Sequence, residues 1–204
     1  MNQYFLELKL HNQPLEKFYQ YPDHLSKSNK LSSTYTAVHK GFIVGEIVQS
    51  VQSVGLEIDS AVIFKKRPGQ ASPLHVDILE ENSKFIRWHC AINWNLNFSK
   101  SYMAWYDTAE EECLPKDFSE RKIYSQYPLT GIHYGYYGNV GMDLTKTKLL
   151  EKTEIYRPTL VRTDIPHQIV NQDIKDRWCL SVRFKGNPPW DIVYESFKLL
   201  SYND

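Results

Sequence analysis

The amino-acid sequence predicts a mainly β domain with a few flanking helices. Several short runs rich in β-branched and aromatic residues lie between turn residues, a pattern typical of an all-β sandwich or barrel. Two of these runs are SAVIFKK at 60–66 and RWCLSVRF at 177–184, and the first ends at the turn signal Arg67-Pro68-Gly69. A double-stranded β-helix, the jelly-roll barrel of cupin-like proteins, fits this pattern best.

The N-terminal half supplies few helices and then the first strands. Residues 13–30 suggest a short helix, and residues 42–54 fit a helix or a strand. From residue 56 onward the strand signals strengthen. The strands predicted in this half are 60–66, 74–78, 84–96 and 101–107.

The C-terminal half returns to strands after an irregular stretch. Residues 108–130 resemble a charged insertion, residues 131–142 a Gly- and Tyr-rich lid, and residues 144–152 one or two helical turns. The predicted strands that follow are 159–164, 168–171 and 177–184. We expect the proline-containing tail after the last strand to fold back over the core.

Length and composition predict one globular domain, 1–204, with its motif-bearing core at about 60–184. Apolar residues make up 42% of the chain and charged residues 24%, which argues against disorder. Lys+Arg and Asp+Glu are both 24, so the formal net charge is zero. A neutral chain lacks the basic surface of a general nucleic-acid binder.

The three cysteines, Cys90, Cys113 and Cys179, are odd in number and widely spaced. They form no disulfide framework, and we expect reduced, buried thiols. The N-terminal residues lack the basic and apolar regions of a signal peptide, and no apolar window is long enough to span a membrane. These features predict a cytoplasmic protein without a membrane segment.

A candidate metal site combines His75 and Asp77 with the distant His167. In an extended segment side chains alternate faces, so His75 and Asp77 point to the same side. Two imidazoles and one carboxylate suit Fe(II) and leave positions open for other ligands. Either motif alone is common in proteins, but here a Pro-Gly turn precedes the first and Pro166 directly precedes the second.

The last predicted strand carries two arginines on one face. In the run RWCLSVRF, one face holds Arg177, Cys179, Ser181 and Arg183, and the other holds Trp178, Leu180 and Val182. If the apolar face packs against an outer layer, both arginines project into the barrel. A buried arginine needs an anion, and a dicarboxylate such as 2-oxoglutarate can supply one. Pairing with Asp or Glu, or exposure to solvent, are the alternatives.

These stretches resemble the Fe(II)/2-oxoglutarate-dependent oxygenases over roughly residues 60–184. VIFKKRPGQASPLHVD looks like their strand–turn–strand approach to the His-x-Asp motif. IPHQIVNQDIKDRWCLSVRF looks like their distal histidine and co-substrate arginine. The ten residues from His167 to Arg177 are similar to the spacing in the aspartyl/asparaginyl β-hydroxylase branch. FIRWHCAINW also looks like that branch, where an Arg-x-His pair faces the co-substrate.

The resemblance implies a dioxygenase that uses Fe(II), 2-oxoglutarate and O₂ to hydroxylate a small molecule or an amino-acid or peptide side chain. The implied metal-binding and catalytic residues are His75, Asp77 and His167. The implied co-substrate residues are Arg177, Arg87, His89 and Arg183. Candidate pocket residues are Asn93, Trp94, Tyr102, Trp105 and Tyr106. A carboxylate at Asp77 implies hydroxylation, because related halogenases have a small residue there.

Two alternatives stay open at this stage. The spacing Arg177-x5-Arg183 also looks like the paired arginines of AlkB-type nucleic-acid demethylases, although the neutral net charge argues against a nucleic-acid substrate. The second alternative is a cupin-like metal-binding protein without 2-oxoglutarate chemistry, although a cupin would normally supply more histidines near His75. The sequence leaves open the substrate, the oligomeric state, the role of residues 1–55, and which arginine holds the distal carboxylate.

Overall fold

The computed structural model describes residues 4–15, 33–72, 74–81, 84–108, 123–126, 133–138 and 147–202. Within these residues the chain forms two antiparallel β-sheets and two α-helices. The strands, in chain order, are β1 (Phe5–Glu7), β2 (Ser33–Val38), β3 (Ile58–Lys66), β4 (His75–Glu81), β5 (Lys84–Arg87), β6 (Cys90–Asn95), β7 (Ser101–Asp107), β8 (Ile123–Gln126), β9 (His133–Gly138), β10 (Lys148–Glu154), β11 (Thr159–Arg162), β12 (His167–Asn171) and β13 (Arg177–Phe184). The helices are α1 (Gly45–Ser53) and α2 (Trp190–Phe197), with 3₁₀ turns at Lys40–Phe42 and Lys198–Leu200.

The strand order is that of a double-stranded β-helix. The first sheet runs β1-β11-β6-β13-β3-β2, and the second runs β10-β7-β12-β4-β9-β8, with β5 paired to β4. Among the barrel strands, β3, β6, β11 and β13 lie in the first sheet, and β4, β7, β10 and β12 lie in the second. The chain therefore crosses repeatedly between two facing sheets, as in a jelly roll, and the predicted fold class is confirmed.

An apolar layer covers the outer face of the first sheet. Helix α2 follows Pro189 and buries Trp190, Val193 and Phe197 at helical spacing, so the tail folds back over the core as predicted. Helix α1 adds Ile47 and Val51. Both helices pack in one buried cluster with strand residues that include Ile92, Trp94, Leu160, Trp178, Leu180 and Val182.

The barrel interior is more polar than this outer layer. Because Trp178, Leu180 and Val182 pack outward, their neighbours Arg177 and Arg183 face inward, and this part of the prediction is confirmed. A small apolar cluster fills one part of the interior with residues from both sheets: Ala91, Met103, Trp105, Ile155 and Val161. The remaining interior positions include polar side chains, which can contact a bound ligand.

The strand predicted over 84–96 is in fact two strands. The chain leaves the second sheet after β5 and enters the first sheet at β6, with Trp88 and His89 between them. Hydrogen bonds fix this crossing, since Trp88 N donates to Asp77 O and Thr163 N donates to His89 O. The prediction failed because a continuous aromatic and β-branched run carries no signal for a change of sheet.

The helical turns predicted over 144–152 are wrong for residues 148–152, and residues 144–146 lie outside the described residues. Residues Lys148–Glu154 form β10, which pairs with β7 across a bulge between Leu149 and Glu151. The lysine- and leucine-rich run favours a helix locally, but pairing with the barrel edge decides its structure. Residues 42–54, which fitted either element, contain helix α1.

Several predictions fall partly outside the described residues. The predicted helix at 13–30 lies there except for residues 13–15, and so does most of the insertion at 108–130, whose described part contains β8. The described part of the predicted lid is β9, which pairs with β4 and is therefore sheet. Cys113 also lies outside, whereas Cys90 and Cys179 are buried free thiols.

Candidate metal centre

Strands β4 and β12 bring three candidate ligands together. His167 is the cross-strand partner of His75, and Asp77 follows two residues later on the same face of β4. One ligand atom from each of the three residues lies within 4.8 Å of the others. The structure therefore assembles His75, Asp77 and His167 as the sequence predicted.

The two histidine side chains both face one carboxylate oxygen of Asp77. Asp77 Oδ1 lies 3.4 Å from His75 Nε2 and 3.7 Å from His167 Nε2. The two imidazole rings lie 4.4 Å apart between centroids. Two imidazole nitrogens and one carboxylate oxygen are the donor set that suits a non-haem Fe(II).

His167 is held in a tautomer that suits a metal ligand. The residue is 1% exposed, and its Nδ1 lies 2.9 Å from Ile165 O, to which an Nδ1–H donates. That bond leaves the lone pair on Nε2, which faces Asp77. Burial, and then the neighbouring His75, lower the pKa of His167 to about 4, so its imidazole is neutral at neutral pH.

Arg183 forms an ion pair with the second carboxylate oxygen of Asp77. Its Nη2 donates a hydrogen bond to Asp77 Oδ2. Burial alone would raise the pKa of Asp77, but the charge of Arg183 and the contacts with His75 and His167 hold that pKa well below its usual range. Asp77 is therefore ionised, with Oδ1 directed at the histidines and Oδ2 at the arginine.

The guanidinium of Arg183 is itself anchored. Its Nη1 lies 3.2 Å from Cys90 O and 3.1 Å from Thr163 Oγ1, and Thr163 Oγ1 donates to Trp88 O at 2.8 Å. The guanidinium lies over the Trp88 ring, with Arg183 Cζ 5.9 Å from the ring centroid. Sequence reasoning missed Thr163, because nothing in the pattern around one threonine distinguishes it.

Arg177, six residues along the same face of β13, is buried but incompletely paired. It is 1% exposed, and its Nε donates to Ser101 Oγ on β7 across the barrel at 2.9 Å. Its Nη2 is buried and has no hydrogen-bond partner among the described residues. No Asp or Glu of the described chain pairs with it, so the alternative in which a protein carboxylate satisfies Arg177 is not observed there.

Arg87 and His89 gather around Asp164. Arg87 Nη1 donates to Asp164 O at 3.2 Å, and His89 Nδ1 lies 3.3 Å from Asp164 Oδ2. Arg162 pairs with the same carboxylate at 2.8 Å. Arg87 ends β5 and His89 lies between β5 and β6, so the predicted Arg-x-His pair does not lie on one strand. Their role toward a co-substrate stays a prediction.

The candidate pocket residues divide between the two faces. Asn93 pairs with Ser181 on the interior face, and its buried Oδ1 has no partner among the described residues. Trp94 lies in the outer cluster, where its Nε1 donates to His11 O, so its assignment to the pocket is wrong. The difference follows from the alternation of faces along β6.

The aromatic residues of β7 divide in the same way. Trp105 faces the interior, packs in its apolar cluster and donates to Arg162 O at 2.8 Å. Tyr102 and Tyr106 lie on the opposite face, and Lys152 Nζ lies 4.0 Å from the Tyr102 ring centroid. The prediction that these tyrosines line the pocket is therefore wrong, because they lie outside the barrel interior.

Asn171 has a structural role that its position in the sequence did not reveal. Its side chain is buried, and Nδ2 lies within 3.1 Å of three carbonyl oxygens, those of Lys66, Arg67 and Lys175. These contacts tie β12, which carries His167, to the end of β3 and to the loop before β13. Asn171 therefore fixes the turn after β3, which leads toward β4 and its candidate ligands His75 and Asp77.

Over the described ranges, no helix has the length and apolar character needed to cross a lipid bilayer. No protein-family model matches the sequence, and no curated protein is significantly similar to it.

Solved structures do show a likeness. The non-heme α-ketoglutarate-dependent carbocyclase SnoK from nogalamycin biosynthesis is 11% identical, with 89% of this chain and 79% of SnoK covered, at a TM-score of 0.47. The epimerase SnoN, solved with Fe³⁺, α-ketoglutarate and nogalamycin RO, is 9% identical. The likeness covers 88% of this chain and 77% of SnoN, at a TM-score of 0.44.

A third similar structure is oxalate oxidase in complex with the substrate analogue glycolate. It is 10% identical, with 93% of this chain and 77% of the oxidase covered, at a TM-score of 0.33. Because all three likenesses are weak, the assignment of the fold rests on the strand topology. The similarity to the aspartyl/asparaginyl β-hydroxylase branch stays a prediction.

Proposed function

We propose that this protein is an Fe(II)- and 2-oxoglutarate-dependent dioxygenase that hydroxylates a C–H bond of a small molecule or of an amino-acid or peptide side chain. His75, Asp77 and His167 are the proposed metal ligands. Arg177 is the proposed partner of the distal carboxylate of 2-oxoglutarate.

The observation that carries this proposal is the incompletely paired guanidinium of Arg177. A buried charge without a counter-ion is costly, and proteins normally supply a partner. Here Nη2 has none in the described chain, and the side chain lies inside the barrel that also holds the metal triad. A dicarboxylate that reaches from the metal to Arg177 would offset this cost.

The donor set at the other end fits the metal. His75 and His167 offer imidazole nitrogens, Asp77 offers Oδ1, and these atoms are close enough to share one ion. The pairing of Asp77 Oδ2 with Arg183 favours a single-oxygen contact with the ion, which leaves other positions for ligands.

Bound iron, 2-oxoglutarate and O₂ would supply the oxidising chemistry, which yields succinate and CO₂ with hydroxylation of the substrate. The chain's own residues do the positioning. Arg183 fixes the carboxylate of Asp77, the Ile165 carbonyl fixes the imidazole of His167, and Ser101 fixes Arg177 Nε.

The test is an anaerobic titration of the Fe(II)-loaded protein with 2-oxoglutarate, followed through the weak visible charge-transfer band of the chelate. We expect the band in the wild type and its loss in His75→Ala. In Arg177→Met, we expect half-saturation at a 2-oxoglutarate concentration about tenfold to hundredfold higher, because a charge-assisted hydrogen bond is lost.

Two exposed residues serve as matched controls. His11→Ala and Arg157→Met make the same changes at residues whose recorded contacts include none of the triad, and they should leave the band and its midpoint unchanged. Iron binding without any band at saturating 2-oxoglutarate would refute the proposal and favour the cupin-like alternative.

A second candidate function is nucleic-acid demethylation of the AlkB type. The observation in its favour is that both Arg177 and Arg183 face the interior and that Arg183 contacts Asp77. Succinate release stimulated by methylated single-stranded DNA or RNA, and by no amino acid or peptide, would favour this second function.

A further inference from the structure

Strands β3 and β13 place two cations side by side. Lys66 is the cross-strand partner of Arg177, and directly opposed residues of an antiparallel pair project from the same face. Arg177 points into the barrel, where it reaches Ser101. Lys66 therefore lies on the interior face as well.

The preceding residue shows the contrast. Lys65 is the partner of Trp178, its Nζ lies 5.2 Å from the centre of that ring, and it pairs with Asp176 at 2.8 Å. Lys65 thus lies on the outer face with an aromatic and an acidic neighbour. Lys66 has no such carboxylate among the residues that the structure describes.

Two like charges opposite each other destabilise a sheet. Burial, and then the charge of Arg177, lower the pKa of Lys66 to about 8. Arg177 Nη2 is buried and lacks a partner within the described chain. Two neighbouring interior cations without an anion are the arrangement that a bound carboxylate would complete.

The backbone beneath this pair is fixed to the metal-binding strand. Asn171 Nδ2 donates to Lys66 O at 3.1 Å and to Arg67 O at 3.0 Å. Asn171 lies four residues after His167 on β12, and Ser101 is its partner on β7. The position of Lys66 relative to the metal ligands is therefore set by hydrogen-bonded sheet structure.

We propose that Lys66 and Arg177 together bind the distal carboxylate of 2-oxoglutarate, and that Lys66 makes the site selective for 2-oxo acids with a second carboxylate. This inference rests on the proposed function. In this arrangement Arg177 Nη2 and Lys66 Nζ each donate to the carboxylate, and Ser101 holds the remaining edge of the guanidinium.

The test compares Lys66→Met with its matched control Lys65→Met, the same change one residue away on the opposite face. Each Fe(II)-loaded protein is titrated anaerobically with 2-oxoglutarate and with 2-oxobutyrate, which has the same 2-oxo acid group but no distal carboxylate. We expect Lys66→Met to weaken 2-oxoglutarate binding about tenfold to hundredfold and to leave 2-oxobutyrate binding unchanged. Lys65→Met should change neither.

Urea unfolding of the metal-free proteins shows whether Lys66→Met is folded. Removal of one of two opposed charges should raise its midpoint above that of the wild type. Lys66→Arg, which keeps the charge, should retain most of the affinity for 2-oxoglutarate.

The outcomes separate the inference from the proposed function. If the wild type binds iron but no 2-oxoglutarate, both are overturned. If the wild type binds 2-oxoglutarate and Lys66→Met binds it equally well, or loses affinity for both acids to the same extent, the role of Lys66 alone is overturned.

Discussion

Arg183 and Arg177 lie six residues apart on one face of one strand, and their surroundings differ. Arg183 is 7% exposed and bonded to Asp77, Thr163 and Cys90 O. Arg177 is 1% exposed and bonded to Ser101, with one nitrogen lacking a partner in the described chain. Arg183 completes an internal ion pair, whereas Arg177 has no acidic partner among the described residues. Burial of an arginine therefore does not by itself distinguish structural support from ligand binding; its hydrogen-bond partners do.

The largest expected effect is on folding and follows from this contrast. Arg183→Met leaves the Asp77 carboxylate buried without its partner, so the free energy of unfolding of the metal-free protein should fall by about 3–5 kcal/mol. Arg177→Met removes a buried charge that has no acidic partner in the described residues and should leave that free energy unchanged or higher. Urea unfolding of both variants measures the difference.

Matched losses in the two variants would contradict the comparison, because they would mean that Arg177 has an internal partner as strong as Asp77. Arg157→Met, at a half-exposed arginine, gives the baseline for loss of a surface guanidinium.

A smaller effect on stability is expected at Thr163, which contacts Arg183. Thr163 Oγ1 accepts from Arg183 Nη1 and donates to Trp88 O, and the residue is buried. Thr163→Val keeps the shape and removes both bonds, so we expect a loss of about 1–3 kcal/mol in urea unfolding. Thr153→Val, at a less buried threonine on β10, should cost less, and an equal cost would show that Thr163 does not support the ion pair.

The same contrast explains how far the sequence could predict the site. The alternation of Arg177 and Arg183 with Trp178, Leu180 and Val182 predicted which face of β13 lies inside, because one residue's face fixes all the others. The His-x-Asp spacing placed His75 and Asp77 together for the same reason. Periodicity within one strand was sufficient for both.

What the sequence could not predict depends on contacts between strands. Lys66 pairs with Arg177 across two strands, and Arg183 bonds to Asp77. Both contacts join segments about a hundred residues apart in the sequence. The change of sheet at Trp88 and the recruitment of Lys148–Glu154 into the barrel edge are likewise decided by tertiary pairing. Sequence patterns report local periodicity, and these features are not local.

The binding of 2-oxoglutarate should depend on pH through Lys66, the cross-strand neighbour of Arg177. In the ligand-free protein the pKa of Lys66 is about 8, lowered by burial and then by Arg177, its charged neighbour on β13. Below that pH Lys66 is charged and ready to bind a carboxylate. Above it, binding requires uptake of a proton, so 2-oxoglutarate affinity should fall by up to about tenfold per pH unit, in the wild type and in Lys65→Met but not in Lys66→Met.

Stability should change in the opposite direction. Because the ordinary pKa of a lysine is 10.5, the unfolded chain holds this proton more tightly than the folded one between pH 8 and 10.5. The cost of charged Lys66 is therefore fully present below pH 8 and disappears as the pH rises through that window. The excess stability of metal-free Lys66→Met over the wild type, roughly 1–3 kcal/mol near neutral pH, should shrink accordingly. A gap in urea midpoints that stayed constant with pH would mean that Lys66 is solvated like a surface lysine, and the two-cation site would lose its physical basis.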